Sequence, residues 1–93
     1  MEKSKELLDS FKMLETACGL ALKDSEASEN SLAELFYSQD LNAEQKSVIT
    51  NAISSMRICN KLISDSLVTM GMLTEISSKM AELAEGMEEL TKN

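Results

Sequence analysis

The sequence predicts an all-α fold: a small helical bundle in which an N-terminal helix and a short helix pack on a long C-terminal helix, completed by oligomerisation. Three observations point there. Apolar content comes from 13 Leu, 8 Ala and 7 Met, set against 5 Ile and 2 Val, a balance that favours helix over sheet. No proline interrupts the chain. Apolar residues recur in alternating steps of three and four, the period of one helical face.

The first helix is expected over about residues 3–23. Leu7, Phe11, Leu14, Cys18 and Ala21 are spaced by four, three, four and three. Leu8, Ala17 and Leu22 widen that stripe, and Lys5, Asp9, Lys12 and Glu15 fill the other side. Gly19 weakens this helix by ~1 kcal/mol relative to Ala and offers room for close packing. Residues 24–30, Asp-Ser-Glu-Ala-Ser-Glu-Asn, are polar and unpatterned and read as an acidic linker. Ser31 with Glu34 matches a capping box, so a short helix is expected over about 31–38. A tight connection at Gln39, Asp40 and Leu41 follows, and Asn42 with Gln45 makes a second capping box.

From there one helix is expected over about residues 43–91. Ile49, Ala52, Met56, Cys59, Ile63, Ser66, Met70 and Leu73 keep the three–four alternation. It then shifts phase by one residue into Ile76, Met80, Leu83, Met87 and Leu90. A kink near Gly71 fits this pattern, while a break at Ser64-Asp65-Ser66 is the alternative. An unbroken helix would be about 73 Å long, against about 31 Å for the first helix and about 12 Å for the short one. Much of its apolar stripe would then lack cover within one chain, which predicts association with a second copy or another protein.

The whole is expected to form one domain, in line with its 93 residues. The formal charge of −7 disfavours binding to nucleic-acid phosphates, which calls for clustered Lys and Arg. Three aromatics, Phe11, Phe36 and Tyr37, give no stacking platform. Without histidine the commonest general base and metal ligand is missing. No enzymatic activity, cofactor or metal is therefore expected. The polar N-terminal residues do not read as a secretory signal and no apolar run reaches membrane-spanning length, so a cytoplasmic protein without membrane attachment is expected.

Six acids and no base lie between residues 24 and 45 (Asp24, Glu26, Glu29, Glu34, Asp40 and Glu44). Two functional expectations follow. The first is a non-enzymatic protein–protein interaction module of adaptor, chaperone or inhibitor type, self-associating or binding a partner helix. Its shared interface would comprise Met70, Met72, Leu73, Met80, Leu83, Met87 and Leu90, with the flexible methionines suited to an adaptable surface. The alternative is an acidic inhibitor that uses those six carboxylates to occupy a basic or nucleic-acid-binding surface of another protein. A small ligand held between subunits is compatible with the Ser and Asn residues of helix 43–91, with nothing that specifically calls for it.

Other clusters read as ordinary structure. Glu82, Glu85, Glu88 and Glu89 read as a solvated face, and Glu75 with Lys79 as a favourable i,i+4 pair. Cys18 and Cys59 lie in apolar stripes and read as packed thiols.

Overall fold

The computed structural model describes residues 2–38 and 40–91 and consists of two helices, α1 (Glu2–Ser38) and α2 (Ala43–Thr91), folded back on each other as a hairpin. It is a rod with extents of 77 × 15 × 14 Å and a radius of gyration of 21.2 Å, where a compact chain of this length would have ~12 Å.

The second helix has the expected bounds and runs unbroken through residues 64–66. Its start is fixed by a reciprocal cap. The backbone N–H of Gln45 donates to Asn42 Oδ1 at 2.8 Å, and that of Asn42 donates to Gln45 Oε1 at 3.0 Å. The Lys46 N–H reaches the Asn42 carbonyl at 3.0 Å, closing the first turn. Farther along, the exposed Lys79 ammonium sits 3.4 Å from Glu75, the i,i+4 pair expected from sequence. Such a pair stabilises the helix by a few tenths of a kcal/mol.

The first half of the chain departs from expectation. Residues 24–30 are not a linker, and Ser31 does not start a helix; both lie inside the single 37-residue α1. The segment holds no Pro or Gly, and the three–four alternation passes through it as Cys18, Leu22, Ser25, Glu29, Leu32 and Phe36. Polar side chains simply occupy inward positions there. Ser28 Oγ, on the outside, donates to the Asp24 carbonyl at 3.0 Å.

That fusion changes the covering argument. At about 55 Å, α1 lies along most of the ~73 Å of α2. Glu2 and Lys5 reach the same cleft as Ala81, Glu85 and Glu88. The long helix is therefore covered over most of its length, with about 18 Å left over. What is left bare is a second side of it.

The seam between the helices follows a heptad on both. In α1 the a positions are Leu8, Glu15, Leu22, Glu29 and Phe36, and the d positions are Ser4, Phe11, Cys18, Ser25 and Leu32. Between residues 49 and 84 of α2 the a positions are Ile53, Asn60, Leu67, Thr74 and Ala81, and the d positions are Ile49, Met56, Ile63, Met70, Ser77 and Ala84. Every one of these side chains is buried or half-buried. The α1 stripe read from sequence is thus corrected by one row. Phe11 and Cys18 do face α2, while Leu7, Leu14 and Ala21 stand at g and are exposed.

The register is set by polar pairs. Asn60 Nδ2 donates to Glu29 Oε1 at 2.8 Å, and Arg57 Nε lies 3.7 Å from Glu29 Oε2. Ser25 Oγ and Asn60 Oδ1, in the same stretch, are buried without a hydrogen-bond partner. Gly71 faces Glu15: a methyl added there would lie 3.5 Å from Glu15 Oε1, an ordinary contact. An added methyl at Gly19 would meet nothing within 4 Å, so that glycine serves no close approach.

A two-helix seam makes almost no interior. Among the described residues only Ala84, 8% exposed, and Ser77, 3% exposed, are buried.

Candidate interaction surface

Beyond the seam, the helical wheel runs from d to g and then to c. In α2 those two rows read Val48, Ala52, Ser55, Cys59, Leu62, Ser66, Thr69, Leu73, Ile76, Met80, Leu83, Met87 and Leu90, an unbroken three–four alternation without a charged residue. The phase shift inferred from sequence is resolved here. The pattern followed d and g up to Leu73, then g and c, so it moved between neighbouring rows of a regular helix.

Size is distributed inside out over the last third of α2. Residues turned toward α1 are small or polar: Thr74, Ser77, Ala81 and Ala84. Thr74 satisfies its hydroxyl locally, donating to the Met70 carbonyl at 2.9 Å. The large side chains point away. Leu83 is 69% exposed, Met87 66% and Leu90 80%. Leu83, Met87 and Leu90 border a shallow apolar groove over Gly86, with Lys79 and Glu82 at its rim.

The first helix adds to this surface. In an antiparallel pair the g row of one helix flanks the g row of the other. The register fixed by Glu29 with Asn60, and by Glu15 with Gly71, brings Leu7 level with Met80 and Leu14 level with Leu73. Leu7 and Leu14 are 43% and 49% exposed. The opposite, e-row flank is polar, carrying Lys5, Lys12 and Glu26 on α1 and Thr50, Arg57, Ser64, Ser78 and Glu85 on α2. The hairpin thus has one apolar edge and one polar edge.

Of the interface residues expected from sequence, Leu73, Met80, Leu83, Met87 and Leu90 fall on the apolar edge. Met72 stands at its border, exposed at f. Met70 does not join them: it occupies a d position and is half-buried against α1. Leu7, Leu14 and Ile76 complete the edge outside that set; Ile76 keeps the three–four spacing with Leu73 and Met80, whereas Leu7 and Leu14 join only through the pairing of the two helices. Cys59, expected to be packed, is exposed on the g row, while Cys18 is half-buried; both thiols are free.

The six acids do not share a face. Asp24, Glu26, Glu29 and Glu34 stand at c, e, a and f around α1, Asp40 lies in the connection and Glu44 in the first turn of α2. Glu29 is engaged in the seam with Asn60 and Arg57. Among the described residues no group of three or more ligating side chains could hold a metal ion, and no helix is long and apolar enough to cross a membrane.

No family model matches the chain, and no curated protein or solved structure matches it either.

Proposed function

We propose that the chain is a non-enzymatic protein–protein interaction module that associates through its apolar edge. The observation that supports this is the reversal of size in the last third of α2, where Leu83, Met87 and Leu90 are exposed while Ala84 and Ser77 are buried. Solvated large apolar residues in a contiguous row mark a surface that a partner covers, since monomers rarely leave such rows in water. Each side chain of this kind gains about 1.5–3 kcal/mol on full burial.

Composition fits the same role. Helices with apolar a, d and g rows belong to bundles of more than two helices, whereas a two-stranded coil requires a and d alone. Met80 and Met87, flexible and polarizable, can adapt to a partner's contour.

A photo-crosslinking side chain at Met80 or Met87 tests this in extract of the cell that makes the protein. Efficient covalent capture of protein there, with none from the same group at Ser64 on the polar edge, is the expected outcome. Equal or absent capture at all three positions would contradict it.

A further inference from the structure

We propose that the occupant of the apolar edge is a second copy of this chain, two hairpins closing edge to edge into a four-helix bundle. This rests on the edge being an association surface and names what covers it.

Area is the first support. The chain exposes 7174 Å². A compact monomer of 10.2 kDa exposes ~5,300 Å², so the excess is ~1,900 Å². The exposed parts of Leu7, Leu14, Ile76, Met80, Leu83 and Met87, with Leu90, come to on the order of 800 Å², about what each partner contributes to a standard stable interface. One further hairpin has the area and the shape to cover it.

Helix count is the second. Rows a, d and g on both helices describe a bundle in which each helix touches two neighbours. The hairpin supplies one neighbour to each. A second hairpin supplies the other to both at once, and an isologous pairing then closes without leaving an open edge.

Charge is the third. With a net charge of −7, two copies repel unless they meet where charge is absent. The g and c rows of α2 carry no charge from Val48 to Leu90, and its acids fall at b, e and f, save Glu88 near the end. A dissimilar partner drawn by charge to so acidic a chain would bring basic groups, whereas the g and c rows of α2 hold no carboxylate and the groove rim carries one acid, Glu82, with one base, Lys79. A neutral edge on a charged rod suits its own copy.

The test is the mass of the purified full chain by sedimentation equilibrium from about 1 to 100 μM. The expected mass at the upper end is twice 10.2 kDa. Leu83→Lys with Met87→Lys should raise the dimer dissociation constant roughly 100-fold or more, with helical circular dichroism retained at high concentration. Thr50→Lys with Ser64→Lys, the same two charges on the polar edge, should leave it within about threefold, since surface substitutions away from the interface have small effects.

A wild-type mass of one chain throughout, or one that climbs past two, would overturn the inference without reference to any variant. So would a dimer indifferent to the Leu83 and Met87 substitutions. A wild-type monomer that is still captured from Met80 by a different protein in extract would sink the second copy and leave the interaction module standing. A monomer with no capture would remove both.

Discussion

Over the last third of α2 the inner seam and the outer edge share one helix and one spacing, yet the side facing α1 is there the smaller and more polar of the two. Inward stand Thr74, Ser77, Ala81 and Ala84; outward on the g and c rows stand Leu73, Ile76, Met80, Leu83, Met87 and Leu90. The difference teaches where the hydrophobic stabilisation of this chain lies. In that stretch small seam residues let the two helices approach without building a core, and the large residues lie on the edge. Nearer the connection, by contrast, Ile49, Ile53, Met56, Ile63, Leu67 and Met70 pack in the seam. Burial within the hairpin specifies which helix faces which, and on the proposed reading burial of the edge by a partner would add a further gain.

Truncations separate the two regions most sharply. Phe11→Ala or Leu22→Ala, on the seam, should cost about 2 kcal/mol at every protein concentration, less than a full-core deletion because both side chains are only half-buried. Leu83→Ala should cost a similar amount at high concentration and under about 0.5 kcal/mol at high dilution, where its side chain is solvated in either case. Urea unfolding at two concentrations reads both. A Leu83→Ala penalty that ignores dilution would erase the distinction between seam and edge.

The polar stretch of the seam sharpens the comparison from the other side. Glu29→Ala strips Asn60 Nδ2 and Arg57 of their partner and should destabilise by about 1–3 kcal/mol. Replacing both Glu29 and Asn60 by Leu should restore or exceed the original stability while loosening the register, as for other polar pairs at a positions. Disulfide trapping between cysteines placed at level positions would detect a shifted register. Ser25→Ala, which removes a buried hydroxyl with no partner, should be stabilising by about 0.5–1 kcal/mol in a thermal melt.

The smallest effect belongs to the backbone. Gly19→Ala meets open space and should gain about 0.5–1 kcal/mol from helix propensity alone, in either association state. A loss there would mean that a partner's backbone approaches that position, on the flank opposite the edge.

Much of this architecture was legible in the sequence. The bounds of α2 followed from the unbroken alternation after Asn42 and from a capping box that the structure forms. The segment 24–30 reads as a break because its apolar content is low, although Ser25 and Glu29 keep the heptad and are half-buried against α2. The row that faces α1 could not be read from periodicity. Rows d, g and c are adjacent and all three carry apolar residues, so Met70 and Met80 look alike in sequence while one is half-buried in the seam and the other is exposed on the edge. Only the register fixed by Glu29 with Asn60 and by Glu15 with Gly71 selects between them.

The central claim is that the main hydrophobic burial of this chain lies outside a single hairpin, and the thermal midpoint of the unmodified protein as a function of its concentration tests that most directly. A midpoint that rises steadily from about 1 to 100 μM is predicted, because association is then linked to folding by mass action. A cooperative melt with the same midpoint across that range would contradict it.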